Sequence, residues 1–329
     1  MQPSVRLTLV SGVVGMAQIA WAGSISSFAF KSIDVPGSNA SYAFGINDSG
    51  QIVGGSEQYF PLAQEGFLLA NGVFSTISSP ALDIYFAQGI NNAGQIVGTT
   101  PNATGVGFLF SGGVFTTIQV PVGNLTSAFD INNAGQIVGA YSQPLHQPVG
   151  FLYTNGMFMP ISVPASTATV ALGINDAGQI VGYYLDGGFS QHGFVFSDGA
   201  YTTLDFPGAP LTIATGINNL GQIVGSFPGS DAEHGFLYSA GVFSTLDVPF
   251  ASDVPLDTSA WGINDAGQIV GIYGTSRTAH GFLATPVPDV ASSLMLGGGL
   301  CMLGLVIRQR RHQHRSYLVN DNCVHAPAR

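Results

Sequence analysis

Six repeats of about 43 residues, each carrying the signals of four short strands, predict an all-β, six-bladed β-propeller over roughly residues 25–285. Three observations carry that expectation. A segment of the form Gly-Ile-Asn-Asx-x-Gly-Gln-Ile-Val-Gly recurs with its first Ile at 46, 90, 131, 174, 217 and 263, so the spacings are 44, 41, 43, 43 and 46. A Gly-Phe pair followed by apolar residues places its Phe at 67, 108, 151, 194, 236 and 282. A third element, typified by Phe243-Ser-Thr-Leu-Asp-Val-Pro249, has its aromatic at Phe30, Phe74, Phe115, Phe158, Tyr201 and Phe243, and 16 residues separate that aromatic from the next repeat Ile in five of the six copies.

The first element reads as strand, tight turn, strand: Asn and Asp tolerate turn conformations and the following Gly supplies a positive φ. The second element runs into the third through Ser239-Ala-Gly241, or Thr154-Asn-Gly156 and Ser197-Asp-Gly199 in sister copies, which is a hairpin signal. Two looser connections remain in each unit, one after Gln-Ile-Val-Gly and one after Val-Pro, and the blade boundary must fall at one of them. The third element comes first in the chain and the second comes last, so one blade has to be completed by strands from both ends. That phasing favours a closed ring over an open β-solenoid, the alternative that a fixed repeat length also allows. The repeat Phe and Ile/Val side chains, Phe194 among them, are the candidate core between blades.

Composition agrees. Of 329 residues 46% are apolar and 11% aromatic but only 8% charged, which excludes a disordered chain. The 45 glycines follow no collagen period, and 28 of them fall at register positions of the repeat, where they serve turns and strand ends. Over residues 23–286 sixteen acids stand against Lys31 and Arg277, a net charge of −14 that repels phosphate backbones and speaks against a nucleic-acid partner. Both cysteines, Cys301 and Cys323, lie beyond that region, so no disulfide is expected in it.

The ends read as addresses. Residues 1–22 hold Arg6, an apolar run from Leu7 to Ala20 and the small-x-small triplet Ala20-Trp21-Ala22, the pattern of a secretory signal peptide. Residues 23–286 then form the repeat domain. Within residues 287–315, the 17 uncharged residues 291–307 precede Arg308, Arg310, Arg311 and Arg315, an arrangement expected of a membrane segment with its basic side in the cytoplasm. Residues 316–329 are a tail.

On the repeated Gly-Ile-Asn-x-x-Gly-Gln-Ile-Val-Gly stretch and on His192-Gly-Phe194, His234-Gly-Phe236 and His280-Gly-Phe282, the chain resembles the HAF-repeat family of extracellular repeat proteins. Glu65, Val106 and Val149 replace the His in the first three copies. The carboxyl end resembles a PEP-CTERM sorting signal, with Val287-Pro288-Asp289-Val290, the apolar span and the cluster Arg308, Arg310 and Arg311 in that order. The resemblance implies a bacterial protein handled by a sorting protease (exosortase), in an envelope associated with exopolysaccharide, and it assigns the repeats no chemistry.

The residues themselves point to no catalytic, cofactor or metal site. Asn47, Asn91, Asn132, Asn175, Asn218 and Asn264 are expected to be structural turn residues rather than calcium ligands, because copies two, three and five carry Asn-Asn with no carboxylate. His192, His234 and His280 occupy one register in successive blades, which separates them around a ring, and a structural hydrogen bond suits them better than zinc. Off-consensus polar residues that could form a site are Glu57, Glu65, Asp83, His146, Asp186, Asp231, Glu233, Asp253, Asp257 and Arg277. No nucleophile-elbow, zincin, Cys-x-x-Cys or phosphate-loop motif is present. Two functions remain: a non-catalytic, displayed propeller that binds matrix polysaccharide or a surface protein, or a secreted glycan hydrolase or lyase, for which two carboxylates within about 10 Å in one pocket would be the sign.

Overall fold

The computed structural model describes residues 27–59, 62–79, 86–100, 105–123, 125–142, 147–249, 257–275 and 278–287. Phe28–Pro286 form one compact unit. Its first strand, β1 (Phe28–Ile33), pairs with the last one in the chain. Blade one is β2 (Ala40–Ile46), β3 (Ile52–Tyr59), β4 (Leu62–Ala70) and β5 (Val73–Ile77). Blade two is β6 (Phe86–Ile90), β7 (Ile96–Thr99), β8 (Gly107–Ser111) and β9 (Val114–Ile118). Blade three is β10 (Leu125–Ile131), β11 (Ile137–Ser142), β12 (Val149–Thr154) and β13 (Met157–Ile161). Blade four is β14 (Ala168–Ile174), β15 (Ile180–Leu185), β16 (Gln191–Ser197) and β17 (Ala200–Leu204). Blade five is β18 (Ile213–Ile217), β19 (Ile223–Pro228), β20 (Glu233–Ser239) and β21 (Val242–Leu246). Blade six takes β22 (Asp257–Ile263), β23 (Ile269–Thr275) and β24 (Thr278–Pro286) from the end of the chain and β1 from its start.

The protein is therefore a six-bladed β-propeller of four-stranded antiparallel meanders. Of the two looser connections, the one after Val-Pro is the blade boundary. β1 closes the ring as the outermost strand of blade six, with Phe28 opposite Pro286 and Ile33 opposite Gly281, and the outer edge of β24 is thereby paired.

Packing between blades follows from the repeat. Phe108, Phe151, Phe194, Phe236 and Phe282 are fully buried and Phe67 is nearly so. Each interblade cluster mixes residues of two blades, and the one that joins Ile33 and Val270 to Ala43, Ile52 and Phe67 seals blade six to blade one. The closing Gly of Gln-Ile-Val-Gly is required by this packing. A Cβ at Gly225 would collide with the carbonyl oxygen of Ile213 on the innermost strand and with the Phe236 ring, and the same pair of obstacles recurs at Gly54, Gly98, Gly139 and Gly271.

The meander gives the ring two unlike faces. On one lie the Ile-Asn-Asx turns and the third-to-fourth-strand hairpins, all short and repeated. The opposite face receives the second-to-third-strand loops and the interblade linkers, which vary in length and sequence. Each innermost pair also carries a β-bulge at one register, between Ala43 and Gly45, Ala87 and Gly89, Ala128 and Asp130, Ala171 and Gly173, Ala214 and Gly216, and Ala260 and Gly262. The extra residues are Phe44, Gln88, Phe129, Leu172, Thr215 and Trp261, six positions where the repeat does not repeat, and all six line an axial cavity of about 50 Å³.

Candidate functional site

On the turn face the six repeat Asn residues form a closed hub. Each is buried, and its Nδ2 donates twice, to the Gln four residues on and to the backbone carbonyl of the next blade's Asn. The series continues from Asn175 to Asn218 and from Asn218 to Asn264, and Asn264 returns to the carbonyl of Asn47 at 3.0 Å. A second ring lies beside it. The N–H of Asp48 donates to Asn92 Oδ1, and so on through Asn133, Asp176, Asn219 and Asp265, whose own N–H donates back to Asp48 Oδ1. Burial pushes the Asp176 carboxyl up, but hydrogen bonds from Asn133 and Asn219 outweigh it and hold Asp176 below the usual carboxylate range. Each of these bonds is made within the chain, and together they tie every blade to the next around the axis.

Along the axis, Asp130 stands where the other five copies have Gly. It is half-buried, and it borders the axial cavity. Oδ1 accepts from the Ile131 N–H and Oδ2 from the Ile174 N–H of the next blade, both at 2.9 Å. Burial pushes its pKa up to about 7 against those two bonds. Gln88 Oε1 and Trp261 Nε1 are buried without a hydrogen-bond partner, and both residues line the same cavity.

The loop face carries the His residues and most of the off-consensus acids. His192 Nδ1 lies 2.9 Å from Asp205, His234 Nδ1 3.0 Å from Asp247 and His280 Nδ1 2.7 Å from Asp34. Each imidazole also packs on an aromatic ring of the second strand, Tyr184, Phe227 or Tyr273. These are three separate braces between strands three and four, one per blade. At His234 burial lowers the pKa, but Asp247 and Asp231 raise it further, so the net shift is upward. Stability from this brace is present below the ordinary value of 6.5 and is lost as pH rises through the raised one. His234→Gln should therefore reduce the fall in melting temperature between about pH 6 and pH 8, and an unchanged profile would remove His234 from the titration.

Of the acids proposed from sequence, Glu57 is engaged by Gln64 at 2.8 Å, and Asp186 shapes its own loop by accepting from the Gly188 and Ser190 N–H groups. Asp231 serves His234. Glu65 stands opposite Ser56 in blade one. Glu233 and Asp257, by contrast, are brought together: the Glu233 N–H donates to Asp257 Oδ1 at 3.0 Å, and Ser259 Oγ donates to Glu233 Oε1 at 2.7 Å. Asp83, His146, Asp253, Arg277, Pro288, Asp289, Arg308, Arg310 and Arg311 lie outside the described residues, as do the expected signal peptide and membrane segment. Among the described residues no helix is long and apolar enough to cross a membrane, and no three His, Cys, Asp or Glu side chains converge as a metal site would require.

Glu233 and Asp257 open onto a pocket of about 290 Å³ at the junction of blades five and six. Ser259, Thr275, Tyr273 and Trp261 also line it, beside Ile272, Gly274 and Ala279. Tyr273 is held from both sides, stacked on His280 and joined through its hydroxyl to Ser32 Oγ at 2.9 Å. Trp261, the bulged residue of β22, meets Phe44 edge-on at 5.0 Å and lines both the pocket and the axial cavity, so it forms the wall between them. Trp261, Ser259 and Tyr273 were not among the candidates from sequence. The available signal was that this position holds five residue types in six copies, Phe alone occurring twice, and that Trp261 is one of only two Trp in the chain.

No family model and no curated protein matches the chain. Among solved structures, TolB from Acinetobacter baumannii is similar with a TM-score of 0.50 at 12% identity, over 76% of this chain and 64% of that one. The Aleuria aurantia lectin in complex with α-methyl-L-fucoside gives 0.46 at 12% identity, over 80% and 97%. Trypanosoma rangeli sialidase gives 0.48 at 9% identity, over 88% and 60%. At such identities the likeness is one of fold.

Proposed function

We propose that this chain is an exported, envelope-displayed repeat protein of the HAF type, which binds extracellular polysaccharide through the loop-face pocket between blades five and six. The observation that carries the reading is the pocket's inventory. Two fixed carboxylates and two hydroxyl-bearing side chains supply hydrogen bonds for sugar hydroxyls, and two aromatic side chains supply apolar surface for the sugar ring. Its volume sits at the lower end of small-ligand sites, which run from about 300 Å³ upward, and suits one or two sugar units of a longer polymer. Export and anchoring rest on the signal-peptide pattern of residues 1–22 and on the sorting-type segment with Pro288, Asp289, Arg308, Arg310 and Arg311, a substrate for exosortase by resemblance.

Two carboxylates in one pocket are also what a hydrolase was expected to show, so hydrolysis stays the second reading, and the hydrogen bonds that the pair already accepts favour binding. A glycosidase needs one of its two acids to hold a proton and present it to the leaving oxygen. Here Asp257 accepts from a backbone amide and Glu233 from a hydroxyl, so both are engaged as acceptors. A glycan array and a hydrolysis screen on the full chain test the reading. Saturable binding to a polysaccharide, weakened about ten-fold or more by Asp257→Ala, is expected. Release of shortened products would place the protein among hydrolases instead, and binding untouched by Asp257→Ala would move the site elsewhere.

A further inference from the structure

We propose that this pocket selects a cationic glycan, a polysaccharide whose hexosamine units carry free amines rather than acetamides. The inference rests on the reading of the pocket as a glycan site and adds the charge of the ligand. Glu233 and Asp257 place two carboxylates at one end of a pocket of about 290 Å³. Each carboxylate has about four acceptor positions. The chain fills one on Asp257 through the Glu233 N–H and one on Glu233 through Ser259 Oγ, which leaves acceptors for the three donors of an ammonium group.

Among the described residues no Lys or Arg lines the pocket, and Arg277, between the lining residues Thr275 and Ala279, lies outside them. Lys31, on the outermost strand of blade six, is the one Lys or Arg among the described residues. The nearby acids Asp231 and Asp247 add negative field around the mouth, on a repeat region whose net charge is −14. Trp261 and Tyr273 flank the carboxylates, and an aromatic ring beside a carboxylate is a setting that favours an organic cation over a neutral group. A uronate would meet like charge, and an acetamide would forfeit both the ion pairs and two of the donors. A metal bridge to an anionic glycan would need further ligands, and among the described residues none converge.

Calorimetric titration of the full chain with glucosamine oligomers, N-acetylglucosamine oligomers of equal length and oligogalacturonates tests the assignment. Glucosamine oligomers should bind about ten-fold or more tighter than the acetylated series, and their affinity should fall as salt is raised. Glu233→Gln and Asp257→Asn retain the oxygens that accept from Ser259 and from the Glu233 N–H, so the fold should melt unchanged. Each should weaken glucosamine binding about ten-fold and leave acetylated oligomers nearly unaffected. Equal affinity for acetylated and free-amine oligomers would overturn the proposal while leaving the glycan site standing. So would uronate binding that requires added calcium. Failure to bind any glycan would overturn the site reading itself.

Discussion

Asn218→Asp is expected to lower the melting temperature by roughly 10 °C, from a loss of about 4 kcal/mol. Asn218 is 3% exposed, and both hydrogens of its amide are committed, to Gln222 Oε1 at 2.8 Å and to the Asn264 carbonyl at 3.0 Å. Its Oδ1 accepts from the Leu220 and Gln222 N–H groups. A carboxylate keeps the two accepted bonds and turns the two donated ones into contacts between a buried charge and two oxygens. The loss should shrink at low pH, because a protonated carboxyl regains one donor, which gives the introduced group a raised folded pKa and a stability contribution lost as pH rises. The equivalent change one residue on, Asn219→Asp, gives up the bonds from Nδ2 to Asp176 and Asp265, but at an exposed position where the new charge stays solvated, so it should cost less than Asn218→Asp. A melting temperature for Asn218→Asp within a degree or two of the parent would show that the hub does not hold the ring together.

The hub also shows which part of the architecture could be read in advance. Strand count, blade size and closure by both chain ends were legible because turn chemistry and apolar pattern are copied in every unit, and local preference agrees with the tertiary ring. Reading the repeat Asn as a turn residue captures the two bonds its Oδ1 accepts and misses the two its amide donates. The sequence does hold the missing signal. A residue chosen only for its turn would tolerate Asp, yet the first position is Asn in all six copies while the second is Asp48, Asn92, Asn133, Asp176, Asn219 and Asp265. An Asn that is never exchanged for Asp is one whose N–H groups are in use.

The braces on the loop face were legible in the same way. Copies with His192, His234 and His280 have Asp205, Asp247 and Asp34 at the partner register, whereas Glu65, Val106 and Val149 are matched by Ser78, Gln119 and Ser162. The pocket was not legible. Glu233 and Asp257 stand 24 residues apart on different blades, and they meet only because β20 packs beside β22 and the loops of both reach one face. Nothing in their spacing distinguishes them from Asp186 or Glu57, whose partners lie within a few residues.

The melting temperature of the parent chain should fall as pH rises from about 4 to about 7, and in Asp130→Asn that fall should be largely gone. The folded carboxyl titrates near 7 against an ordinary 3.8. A group whose folded pKa is raised contributes stability that is fully present below its unfolded pKa and lost as pH climbs to the folded one, after which nothing further changes. At 1.36 kcal/mol per pKa unit the span corresponds to at most about 4 kcal/mol, or roughly 10 °C. The structure gives the neutral form a reason to persist. Protonated Asp130 keeps an acceptor for the Ile131 or Ile174 N–H, and it brings an O–H donor into a cavity where Gln88 Oε1 is an acceptor without a partner. His234 works in the same direction above about 6.5, so the decisive window lies below that value, where the imidazole is charged in both states. An Asp130→Asn profile that still declines between about pH 4 and 6 as steeply as the parent would mean that the axial carboxyl is ionised throughout. The two backbone bonds would then outweigh burial at the one blade where the repeat exchanges its Gly for an acid.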